Sequence, residues 1–315
     1  MKIRYKETLD GCCIQRCYGL DGIVEIPEEI DGKKVTELDS YVFSETVRGR
    51  SAPPGEYMGE PELSGTDVEE LVLPEHVRKV GAYAFYNCYR LKALSCRSTV
   101  RDWGAGVFTG CSGIERLDIR MISGEKSCFQ EILAELRQTL EVNYRDSEGK
   151  LLARLIFPEF FEESVENTPA RIIMREMHGC GHMYRYCFDN SGFVFREYDA
   201  LFPHVQVQEK PELVTRLALY RLYWPWGLGE QAEEAYWAYV RTYAGESAAG
   251  LITRGETELL CRMAYAEQLD RTALENMIKS AGGLGDAEAL ALLMDAKHSR
   301  FGGAGKRERR RTFEL

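Results

Sequence analysis

Apolar positions along the first third of the chain recur with a period of 23 residues. Val68, Leu91 and Ile114 open successive units, and Leu71, Leu94 and Leu117 follow three residues later. Leu73, Cys96 and Ile119 come two residues after those. Apolar residues at alternate places mark a short strand with one face turned inward. The intervening residues then share the opposite face: Glu70 and Val72, Ala93 and Ser95, Arg116 and Asp118. Val77 and Val100, then Val80 and Trp103, serve a returning arm. Gly81 and Gly104 stand where that arm bends, and a positive φ is expected at both. Phe85 and Phe108 fill the far end, and Cys88 and Cys111 close each unit, stacked one over the other.

An imperfect copy precedes these units. Val24, Ile26 and Pro27 match Leu71, Leu73 and Pro74, while Val35, Leu38, Val42 and Phe43 match Val77, Val80, Ala84 and Phe85. The match requires a five-residue insertion around residues 31–34. Residues 45–67, which include SAPPGEYMGEPELSG, have no periodicity and read as a projecting loop. A repeat of this kind cannot bury its apolar face alone, so the array needs caps. Residues 1–20 are expected to cap one end and the segment after Arg120 the other.

The strings IPEEI…V-x-x-L-x-x-x-V-F and L-x-L-P-x-x-V-x-x-V-G-x-x-A-F-x-x-C resemble the BspA-type leucine-rich repeats, over residues 20–120. The unit that opens at Leu91 departs from the pattern, with Arg97 in place of the usual proline and Trp103 in place of an aliphatic residue. The resemblance implies a binding surface for a protein partner rather than a site of chemistry. On the sheet face that surface is Glu70, Val72, Ala93, Ser95, Arg116 and Asp118. Many members of the class are extracellular. Here Lys2, Arg4 and Lys6 are followed by no apolar stretch of export-signal length, so a cytoplasmic protein is expected.

Beyond residue 122 the pattern changes, and residues 123–207 read as a capping helix with a small mixed, β-rich module. Phe129, Ile132, Leu133, Leu136 and Leu140 have helical spacing, which predicts a helix over residues 127–140. LEVNYRDSEGKLLARLIFPEF predicts two strands around a turn at residues 146–149, and ARIIMREM and GFVFREY predict further strands. One string here carries metal-binding residue types: HGCGHMYRYC, with His178, Cys180, His182 and Cys187. On a strand, residues 178, 180 and 182 share a face, whereas Cys187 has the opposite parity and the spacing matches no zinc finger or ribbon. A metal or thiol enzyme centred on these four is the alternative to an interaction protein. The string shows no oxyanion-hole motif and no phosphate loop, and Glu162, Glu163 and Glu166 read as a solvated face.

Residues 208–300 read as α-helical. Leu213, Leu217, Tyr220 and Trp224 follow Pro211 at helical spacing, and Ala235, Tyr236, Tyr239 and Val240 form an aromatic stripe on a helix beginning at Glu230. Helices over residues 256–267, 271–281 and 286–297 follow. GETELL at Gly255 and GDAEAL at Gly285 repeat thirty residues apart, and the second string resembles part of an ankyrin repeat. Residues 301–315 form a basic tail containing Lys306 and Arg311.

Composition narrows the picture only slightly. The net charge of -10 argues against nucleic acid as the main partner. No apolar run is long enough to predict a membrane span. The ten cysteines are expected as reduced, buried thiols rather than a disulfide scaffold. The chain is thus expected to be an α+β protein in several parts: a leucine-rich-repeat solenoid, a mixed module and a helical-repeat domain. It is expected to act as a non-catalytic scaffold without a cofactor, or as a structural module of a larger assembly.

Overall fold

The computed structural model describes residues 1–45, 59–167 and 172–302. The chain forms two compact units, Met1–Tyr198 and Asp199–Leu315.

The first unit is a two-ladder solenoid. One ladder joins Ile23–Glu25, Glu70–Val72, Ala93–Arg97, Arg116–Arg120 and Leu140–Arg145 in parallel, and Leu151–Phe157 closes it antiparallel. Its register sets Val24, Leu71, Leu94, Leu117, Val142 and Leu155 in one unbroken buried row. The 23-residue period therefore becomes a row of side chains that stack strand upon strand, the arrangement by which a solenoid builds a core. The second ladder joins Gly11–Tyr18, Lys33–Leu38, Lys79–Val80 and Asp102–Trp103, and Lys2–Thr8 pairs antiparallel at its outer edge. The insertion of the first copy is a tight hairpin: Glu29–Ile30 turns back onto Lys33–Leu38 through Asp31 and Gly32, both with positive φ.

At the far end of the units the phenylalanines stack, Phe43 on Phe85 at 6.1 Å and Phe85 on Phe108 at 5.7 Å. The closing cysteines are held by the preceding unit. Cys88 Sγ lies 3.4 Å from the Phe43 carbonyl and Cys111 Sγ 3.0 Å from the Phe85 carbonyl. The ten cysteines carry no disulfide, and nine of them are buried.

The glycines at the bend work differently from expectation. Neither Gly81 nor Gly104 has a positive φ; the left-handed positions of the units are Tyr41, Tyr83 and Gly106, then Asn87 and Gly110. Gly81 and Gly104 are required by contact. A Cβ on Gly104 would lie 2.3 Å from the Ala82 nitrogen, and one on Gly81 2.4 Å from the Ser40 nitrogen. Backbone of adjacent units touches there, and backbone cannot move aside as a side chain can. Gly104→Ala is therefore expected to destabilise the first unit by about 1–3 kcal/mol, the usual cost of overpacking, read as a lower urea midpoint.

The sheet does not stop at Arg120. Leu140–Arg145, expected within a separate module, pairs in parallel with Arg116–Arg120 and extends the solenoid. The capping helix is correspondingly shorter than predicted, Phe129–Glu135, with Phe129, Ile132 and Leu133 buried. Leu140 opens a strand whose residues 140 and 142 point inward. Five apolar positions fit a helical period, but the last of them belongs to an alternating one, and pairing with the sheet decides it. Phe161–Asn167 and Ile172–His178 form a separate hairpin. The predicted GFVFREY strand is divided: Gly192–Phe193 pairs with Phe188–Asp189, and Phe195–Ala200 is helical.

The second unit contains the helices Phe202–Gln208, Pro211–Tyr223, Glu230–Thr242, Ala244–Thr253, Thr257–Tyr265, Arg271–Leu284 and Ala287–Phe301. Tyr236, Tyr239 and Val240 are in its core, and Ala235 is exposed. Ala244–Thr253 carries no apolar stripe in the sequence, because its inward face is Ala244, Gly245, Ser247, Ala248 and Gly250, with Leu251 as the large apolar residue among them. Gly255 and Gly285 both adopt the left-handed conformation, and the Thr257–Tyr265 and Ala287–Phe301 helices follow them. The thirty-residue recurrence is thus a glycine turn followed by a helix. Among the described residues no helix is long and apolar enough to cross a membrane.

Candidate functional site

The parallel ladder positions the side chains that alternate with its buried row. Glu70, Ala93, Arg116 and Glu141 lie in register, as do Val72, Ser95, Asp118 and Asn143. The six residues singled out from the sequence are therefore side by side on one side of the sheet, half-buried or, for Arg116, exposed. A third row, Arg97, Arg120 and Arg145, lies at the ends of the same strands.

These rows are knitted by ion pairs. Arg116 holds Glu70 across the intervening strand at 2.6 Å. Glu75 accepts from Arg120 at 2.8 Å and also pairs with Arg97. Arg145 donates through Nε to both oxygens of Asp118, at 2.8 and 2.9 Å, and Asn143 donates to Asp118 at 3.2 Å. Arg154 stands 3.7 Å from Glu141. Pairs this exposed contribute about 0–1 kcal/mol each.

The repeat makes the first two rows legible in the sequence, but not the full arginine row or the Leu140–Arg145 strand. Parity alone could have found Arg97 and Arg120, since each is two residues beyond Ser95 and Asp118. Arg145 was hidden because the spacing from Leu117 to Val142 is not 23 residues, so its strand fell outside the repeat.

The HGCGH segment does not gather its four candidate ligands. His178 ends a hairpin strand, stacked on Phe161 at 4.7 Å with Nε2 3.2 Å from Glu163. Gly179 then turns the chain with a positive φ, and His182 sits in the short helix Gly181–Tyr184, its ring against Phe160 and Tyr186. Cys180 is fully buried, and Cys187 Sγ lies 3.6 Å from the Met183 carbonyl. Among the described residues no group of three or more His, Cys, Asp or Glu side chains stands where it could hold a metal ion.

The glycines of this segment answer to packing. A Cβ on Gly181 would lie 2.0 Å from the Pro158 carbonyl oxygen. That approach seats Arg185, which is 1 % exposed. Its guanidinium donates to the carbonyls of Leu136 at 2.8 Å, Gln138 at 2.6 Å and Gly181 at 2.9 Å, and also to that of Pro158. Burial draws its pKa down to about 10. The segment that looked like a ligand set is a backbone clasp around one arginine.

Residues 57–144 match the family model described as BspA type Leucine rich repeat region (6 copies). The match begins later than the resemblance read from the sequence and extends through most of the Leu140–Arg145 strand, in agreement with the ladder. No curated protein matches the chain, and no solved structure does.

Proposed function

We propose that this chain is a protein-interaction module that acts through the outward face of its strand ladder. The observation that carries the reading is the register that sets Glu70, Val72, Ala93, Ser95, Arg116 and Asp118 together on the side of the sheet away from the core. The leucine-rich-repeat match supports it, because repeats of this type are interaction modules. The helical unit supplies a second surface in this reading, as stacked helix pairs do in repeat arrays, and the recurring glycine turns at Gly255 and Gly285 support an ankyrin-like arrangement. A cytoplasmic setting suits a core rich in unbridged thiols.

The test is affinity capture with the full chain and with a triple variant, Glu70→Ala, Ser95→Arg and Arg116→Ala. Proteins that bind through the sheet face are expected to be lost from the variant while its thermal midpoint stays within a few degrees of the parent. Retention of every captured protein by the variant would overturn the reading.

A further inference from the structure

Three arginines on adjacent strands are an unfavourable choice for folding. Arg97, Arg120 and Arg145 are directly opposite one another in register, about 4.8 Å apart from strand to strand. Like charges placed so oppose pairing. Two carboxylates offset them: Glu75, shared between Arg97 and Arg120, and Asp118, which serves Arg145. Three guanidinium groups therefore share two carboxylates, and Arg145 also donates to the Gly149 carbonyl at 3.1 Å. All of these side chains are partly open to solvent, with Arg120 at 37 % and Glu75 at 39 %. Glu75 also lies outside the strand, on the loop that follows Glu70–Val72, so it reaches the row from its edge.

We propose that this row is the docking point for a carboxylate-rich segment of a protein partner, and that Glu75 holds the place one of the partner's carboxylates takes. The proposal rests on the reading of the sheet face as a protein contact and names the chemistry of the partner. Guanidinium forks match carboxylates, and two are already seated here. The net charge of -10 does not forbid an acidic partner. Exposed charges further away than about 8 Å are largely screened at physiological salt, so a docked carboxylate responds to the row.

The experiment is a fluorescence-anisotropy titration of a labelled hexaglutamate peptide with the full chain at an ionic strength of about 0.15 M. Saturable binding is expected. Glu75→Gln, which frees Arg97 and Arg120, is expected to tighten it about three-fold or more. Arg120→Gln combined with Arg145→Gln is expected to weaken it about ten-fold, a loss of about 1.4 kcal/mol by the usual conversion. Arg101→Gln, at an exposed arginine paired with Glu125 off the row, is expected to leave it unchanged. The proposal is overturned if the peptide does not bind, if Glu75→Gln leaves binding unchanged or weaker, if Arg101→Gln costs as much as the row variant, or if a thymidine oligonucleotide binds as tightly. Because Glu75→Gln is expected to gain affinity, misfolding cannot imitate it. A peptide titration that ignores Glu75 while protein capture still depends on Glu70, Ser95 and Arg116 would remove this inference and leave the sheet-face reading standing.

Discussion

Arg185→Met is expected to lower the stability of the Met1–Tyr198 unit by about 3–5 kcal/mol. The guanidinium donates to four carbonyls drawn from three stretches of chain, Leu136 and Gln138, Pro158, and Gly181. Methionine fills much of the volume but donates nothing, so these acceptors lose their donor in the interior. An unsatisfied buried acceptor costs about 1–3 kcal/mol. Desolvation of the charge works in the other direction, as the lowered pKa records, and relief of it offsets part of the loss. The balance favours destabilisation because several acceptors are orphaned for one charge removed. Arg137→Met provides the contrast. Both arginines lie over the Phe160 ring, but Arg137 is 53 % exposed, and its change is expected to stay within about 0.5 kcal/mol. Equilibrium urea unfolding of the two variants checks the difference. Equal midpoints would show that Arg185 does not clamp the unit.

Arg185 also shows what the sequence conceals. Its neighbours drew attention as His178, Cys180, His182 and Cys187, residue types that carry chemistry. Nothing local marks the arginine between them, because its four acceptors come from residues 27 to 49 positions away or, for Gly181, from one turn earlier. Backbone carbonyls have no residue type to read. The inward row of the ladder was legible because a fixed period and fixed parity determine it: Leu71, Leu94 and Leu117 stack as their spacing requires. The Leu140–Arg145 strand was not, since a helix intervenes and the spacing changes. Gly81 and Gly104 were placed correctly at the bend, yet the cause was contact between units, and contact between units has no signature within one unit. The candidate face follows the same division. Its first two rows come from parity on recognised strands, and the arginine row is complete only once Leu140–Arg145 is seen to join the sheet.

In the helical unit, Asp199→Ala is expected to cost about 3–5 kcal/mol, and Arg221→Met added to it is expected to recover a large part of that loss. Arg221 is fully buried and holds Asp199 through two hydrogen bonds, Nε to Oδ1 at 2.8 Å and Nη2 to Oδ2 at 2.9 Å. Tyr236 donates to the same carboxylate at 2.8 Å. Arg221 also reaches the Trp224 carbonyl at 3.3 Å and the Trp226 carbonyl at 3.1 Å, fixing the turn between the Pro211–Tyr223 and Glu230–Thr242 helices. Removing the aspartate alone strands a guanidinium away from water, which is the costly half of breaking a buried pair. Removing both charges leaves an apolar gap that methionine partly fills. The two effects separate a charge penalty from a packing penalty: a cavity alone would make the double variant no better than Asp199→Ala. Tryptophan emission supplies the readout, since Trp224, Trp226 and Trp237 lie in this unit. Asp199→Ala is expected to shift the urea midpoint of that signal downward and the double variant to shift it back. A double variant as unstable as the single one would mean that Asp199 serves Tyr236 and the turn more than it serves Arg221.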